Sequence, residues 1–330
     1  MEVALRISII IRSTYLLMLL TVFLASCASD QGKANEEYRE YRVYRSKVGY
    51  DIMMRLYHEA LSKWGVPYQE TDVGTTYGKT HVVISGLSNT KPLVLIHGMS
   101  SNSSWTWMYN IKDLCRDHLV FAVDVIGDAG KGRPVRMPKN HQDYADWLNE
   151  VFLALGIHRA LMVGNSGGGF IAHWFQYYYP QKVEKMVLLS YSYLDQNADL
   201  SVFAQLFRFN FRTTREDARK QLEWLNGGPI QDEKNKEWLE EFMYSINKYT
   251  KTDYIISPYK SVPESAVRKI TTPVLIIFGE KDVIFDVKKA YNYWKKINNP
   301  AIRFEIIPEQ GHLVVTRHDL VDKLILDFLR

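Results

Sequence analysis

Apolar and polar positions along this chain follow two periods in turn. Short apolar runs of strand length recur at residues 81–85, 92–96, 119–125, 160–163, 186–190, 274–278 and 304–307. Between most of them the spacing widens to that of a helix with one apolar face, at 105–114, 144–155, 170–179, 287–297 and 320–329. Strands that are apolar at nearly every position are buried on both faces. The pattern therefore predicts an α/β fold, a mostly parallel sheet flanked by helices. A further helix is predicted over 50–64, stopped by Gly65-Val66-Pro67 and packed on the domain edge. One interval breaks the alternation: between Tyr193 and Thr271, helical segments around 202–211, 215–225 and 237–249 take the place of strands. This predicts a helical cap inserted at about 194–270.

The N-terminus has a different pattern. Arg6 and Arg12 precede an apolar stretch at 15–24 that is short for a membrane span and is followed by small residues, as in an export signal. Leu24-Ala25-Ser26-Cys27 resembles the bacterial lipobox, whose cysteine is acylated and becomes the mature N-terminus. The expected organisation is a lipoprotein-type signal peptide over 1–27, a polar spacer over 28–46 and one domain over 47–330. Lipid on Cys27 would tether the protein to a membrane of the bacterial cell envelope without spanning it.

Composition narrows the function classes. The chain is 46% hydrophobic with a net charge of +4, and no basic tract interleaved with aromatics stands out, so nucleic acid is not an expected partner. Beyond Cys27 the only cysteine is Cys115, which excludes an intrachain disulfide framework in the mature domain. No Cys/His cluster at zinc spacing and no phosphate-cradling loop occurs, and neither metal nor organic cofactor is expected.

The chemistry centres on Gly164-Asn165-Ser166-Gly167-Gly168, a G-x-S-x-G sequence. By composition alone such a match arises in a chain of this length about one time in ten, so its context decides. Here it follows a strand-like run and opens a helical one, the setting of a serine nucleophile on a tight strand-to-helix turn. Serine needs a base, and the base needs an orienting group. Asp282 follows the run at 274–278 and His312 follows the run at 304–307, in the order Ser, acid, His. Glu280, two residues before Asp282, is the alternative acid. His97-Gly98-Met99 ends the run at 92–96, where the backbone N–H of Met99 would join that of Gly167 as an oxyanion hole. His97 is expected to hold that loop, and Asp124 and Asp128 to shape the loop after their own strand.

Through these motifs the chain resembles the α/β-hydrolase superfamily from about Val73 to the C-terminus. The run 122–128 (Ala-Val-Asp-Val-Ile-Gly-Asp) and Trp64-Gly65-Val66 resemble bacterial carboxylesterases of the naproxen-esterase group. The resemblance implies a serine hydrolase that cleaves a small-molecule carboxylic ester through an acyl-enzyme. Ser166 stands where the dehalogenase and epoxide-hydrolase branches carry aspartate. An amide, peptide or carbon–carbon bond hydrolase would use the same triad, and a catalytically silent envelope lipoprotein is the non-enzyme alternative. Arg208, Arg212, Arg215 and Arg219 in the cap would either meet an acidic substrate or form a solvated helix face. Oligomeric state is not legible in the sequence.

Overall fold

A computed structural model describes residues 43–191, 214–230, 232–251 and 262–330. The signal segment 1–27 with Cys27, the spacer as far as residue 42, the cap stretch predicted at 202–211 with Arg208, and Arg212 just after it lie outside the described residues. In chain order the main elements are helix α1 (Lys47–Ser62), strands β1 (Tyr68–Thr75), β2 (Gly78–Ser85), β3 (Pro92–Ile96), β4 (Leu119–Val123) and β5 (Arg133–Pro134), and helix α2 (His141–Ala154). Then come β6 (Ala160–Asn165), α3 (Gly167–Tyr178), β7 (Val183–Leu189), the cap helices α4 (Arg215–Asn226) and α5 (Lys236–Tyr249), β8 (Val274–Gly279), α6 (Val287–Ile297), β9 (Ile302–Ile307) and α7 (His318–Leu329).

Among the described residues, nine strands form one sheet in the order β1-β2-β4-β3-β6-β7-β8-β9, with β5 pairing β2. From β4 to β9 every pairing is parallel, whereas β1, β2 and β5 pair antiparallel at one end. Side chains of β3 alternate between two cores. Val94 and Ile96 join Trp147, Phe152 and Phe175 on one face, while Leu93 and Leu95 join Leu61, Trp107 and Ile325 on the other. Burial on both faces explains the near-continuous apolar runs. Because β3, β6, β7, β8 and β9 are parallel, the loops carrying Met99, Ser166, Ser190, Asp282 and His312 leave the sheet at one edge. Order reverses between β3 and β6, and that crevice is where an open parallel sheet places its site.

Three expectations need correction. The helix predicted over 105–114 is two separate turns, Ser103–Thr106 and Ile111–Leu114. Asn110 separates them, its amide donating to the Val315 carbonyl (3.1 Å) and the Asp322 carboxylate (2.7 Å). The spacer ends before residue 46: Val43 and Tyr44 are buried, and the Tyr44 hydroxyl donates to the Gly130 carbonyl at 2.7 Å. Helix α1 is no edge decoration, since Tyr57, Ala60 and Leu61 enter the core. It also meets cap helix α5, where Trp238 Nε1 donates to Glu59 (3.0 Å) and a Cβ on Gly49 would lie 2.7 Å from Tyr249. Strand β1 escaped the sequence pattern because it is an edge strand with mostly exposed side chains, rich in Gln69, Glu70, Thr71 and Asp72.

Candidate active site

Ser166 sits between β6 and α3 with φ 49° and ψ −114°, a strained conformation for a residue with a side chain. The turn is this tight because α3 starts directly over the end of β3. A Cβ on Gly168 would lie 2.2 Å from the Ile96 carbonyl oxygen and 2.4 Å from that of His97, so only glycine fits there.

His312 and Asp282 converge on this turn. Ser166 Oγ lies 2.9 Å from His312 Nε2, and His312 Nδ1 lies 2.9 and 3.1 Å from the two Asp282 oxygens. Asp282 cannot donate when ionised, so Nδ1 carries the proton and Nε2 accepts from the serine hydroxyl. The Asp282 side chain is fully buried, and its Oδ1 also accepts from the backbone N–H groups of Ile284 (2.8 Å) and Phe285 (3.1 Å). Glu280 is exposed and turned elsewhere, accepting from the Glu309 N–H at 3.0 Å.

The His312 backbone is held at both ends by residues that sequence reasoning missed. Its N–H donates to the Leu225 carbonyl at 2.6 Å, and its carbonyl accepts from the Ser190 hydroxyl at 2.6 Å. Ser190 is itself at positive φ (45°) just past β7. Gly311 N–H donates to the Asn226 carbonyl (2.9 Å), and the Gln310 amide donates to Asn226 Oδ1 (2.9 Å). The C-terminal end of cap helix α4 thus clamps the loop that presents the histidine. A Cβ on Gly311 would lie 2.4 Å from Asn226 and Leu225 backbone atoms, which accounts for the glycine before His312. None of these partners has a motif, and only Ser190, at the end of an apolar run, had a positional hint.

Gly98-Met99 lies against the elbow: a Cβ on Gly98 would be 3.3 Å from Ser166 Cβ. His97 fixes this loop, its Nδ1 donating to the Gly98 carbonyl (2.7 Å) and its Nε2 accepting from the Val125 N–H (2.8 Å). Gly167 is the first residue of α3, so its N–H has no acceptor within the helix. Asp124 and Asp128 bind backbone N–H groups of the neighbouring loops, Ser103 and Lys131 for Asp124 and Ser101 and Ala129 for Asp128. In the cap, Arg215 pairs with Glu241 and Arg219 is exposed.

Comparison with known proteins agrees with this fold. Residues 91–230 match the family model of the alpha/beta hydrolase fold. The chain is 30% identical over 266 residues to an uncharacterized carboxylesterase, nap, of Bacillus subtilis (strain 168), covering 78% of this chain and 85% of that protein. It is 29% identical to carboxylesterase YbfK of the same organism, covering 83% and 92%. The crystal structure of naproxen esterase (carboxylesterase NP) from Bacillus subtilis superposes with a TM-score of 0.74 at 26% identity, over 84% of this chain and 97% of that one.

Proposed function

This chain belongs to the α/β-hydrolase family, and from that premise we propose that it is a carboxylesterase working through Ser166, His312 and Asp282. The hydrogen-bonded series from Asp282 through His312 to Ser166 carries the reading. His312 Nε2 takes the proton of Ser166 as its Oγ attacks the ester carbonyl carbon. Asp282 holds the imidazole and stabilises it once charged. The N–H groups of Met99 and Gly167 donate to the carbonyl oxygen as it becomes negative, each worth about 2.7–4 kcal/mol in comparable sites. The tetrahedral species then collapses, and the leaving alkoxide takes the proton from Nε2. Water attacks the acyl-enzyme by the same route and restores Ser166 with its proton.

Hydrolysis of p-nitrophenyl esters of rising acyl length, with fluorophosphonate labelling, tests this. Ser166→Ala is expected to lose both. A Ser166→Ala protein that keeps full activity overturns the mechanism. The protein is further proposed to sit on a membrane of the bacterial cell envelope through lipid on Cys27, in the lipobox-like Leu24-Ala25-Ser26-Cys27. Intact-mass measurement of the membrane-fraction protein decides it, because a mature N-terminus other than Cys27, or one without added lipid mass, refutes the anchor.

A further inference from the structure

A second cluster of chemically active side chains joins the C-terminal helix to the turn at Ile111–Leu114. His318 and Asp322 are one helical turn apart on α7 and share a face, while Asn110 and Asp113 are three apart on the opposing turn. One ligand atom from each of Asp113, His318 and Asp322 lies within 4.8 Å of the others. Asn110 and Asp322 are both buried. The Asn110 amide nitrogen donates to two acceptors, the Val315 carbonyl and Asp322 Oδ1, so its orientation is determined by its partners. That leaves Asn110 Oδ1 and Asp322 Oδ2, among the described residues, as buried oxygens with no hydrogen-bond partner. Two buried acceptors without a protein donor can be satisfied by a cation. Arg116 reaches Asp113 at 3.3 Å, but this pair is exposed and readily exchanged. The Tyr109 ring lies parallel to the His318 imidazole (centroids 6.0 Å apart), and its hydroxyl donates to Asp232 at 2.6 Å.

We propose that Asp113, His318 and Asp322 form a structural binding site for a divalent cation of the zinc type. One imidazole with two carboxylates suits zinc better than calcium, which takes six or more oxygens. Tetrahedral coordination at about 2.0–2.2 Å needs the less buried ends of Asp113 and His318 to close inward by about 1 Å, leaving Asn110 Oδ1 or water as fourth ligand. The cation would clasp α7 to the segment that follows the Met99 loop, and its binding does not depend on ester hydrolysis. Full-length protein, stripped with EDTA and desalted, is titrated with zinc chloride and followed by melting temperature and by elemental analysis after gel filtration. The expected result is one retained zinc per chain and a melting temperature raised by about 5 °C. Ser166→Ala retains both effects, whereas His318→Ala and Asp322→Asn lose them. If Asp322→Asn fails to fold, the exposed His318→Ala decides alone. No retained zinc, a rise that survives in His318→Ala, or a larger rise with calcium chloride overturns the proposal.

Discussion

Replacing Asp282 by asparagine separates the role of the acid from the shape of the site, and the structure dictates which way the amide must lie. Asp282 Oδ1 accepts from two backbone N–H groups, Ile284 at 2.8 Å and Phe285 at 3.1 Å, while Oδ2 lies 2.9 Å from His312 Nδ1. Turning the amide NH₂ toward the two N–H groups would oppose donor to donors and forfeit two hydrogen bonds, each worth about 1 kcal/mol. The asparagine oxygen therefore keeps the backbone contacts, and its NH₂ faces Nδ1. Nδ1 must then accept, the ring proton moves to Nε2, and Nε2 donates to Ser166 Oγ instead of accepting its proton. A base in the wrong tautomer costs about 10⁴ in kcat in the chymotrypsin-type triad, equivalent to about 5.4 kcal/mol of barrier. The same loss is expected here, with KM little changed. The assay is steady-state hydrolysis of a p-nitrophenyl ester, with circular dichroism to verify the fold. Glu280→Gln is the control and should stay within about twofold of the parent, because surface substitutions away from a site rarely matter. Near-normal turnover in Asp282→Asn, beside a severe loss in Glu280→Gln, would refute the reasoning and move the acid to Glu280.

The remaining expectations concern the supports of the site. Ser190→Ala strips the buried His312 carbonyl of its donor, which should cost about 1–3 kcal/mol in denaturant stability. It should also lower kcat by about tenfold as the histidine loop loosens; unchanged kcat and midpoint would show that the bond holds nothing. Gly168→Ala places a Cβ 2.2 Å from a backbone oxygen of β3 that cannot swing aside, and should lower stability by at least about 1–3 kcal/mol, read as a melting temperature lower by several degrees. Burial drives His173 down to about 3, while an unfolded chain binds that proton near 6.5. Below about pH 6.5 the unfolded state therefore holds more protons, and stability is lost as pH falls toward 3, by up to about 1.4 kcal/mol per unit. His173→Gln should flatten that part of the stability curve, and an unchanged slope in urea titrations at pH 4.5 to 7 would contradict it.

The sequence by itself determined the α/β class, because a strand buried on both faces must be apolar at nearly every position, as β3 and β8 are. It also singled out Ser166 and His312, since an elbow and a glycine before the histidine are local backbone requirements written in consecutive residues. What it could not contain is proximity. That the Asp282 side chain turns inward to the imidazole while Glu280 faces solvent follows from the turn in which Ile284 and Phe285 offer their N–H groups to Asp282. Ser190 holding the His312 carbonyl, and Leu225 with Asn226 receiving the N–H groups of His312 and Gly311, join segments from β7, the cap and the C-terminal part of the chain. Those contacts leave no periodic trace, because a single hydrogen bond constrains one residue on each side. The same reason hid strand β1, whose polar side chains satisfy an edge, and the meeting of Asp113 with His318 and Asp322 across two separate helices. Patterns record what each residue demands of its neighbours in the chain, whereas packing of the sheet and its helices decides which distant residues meet.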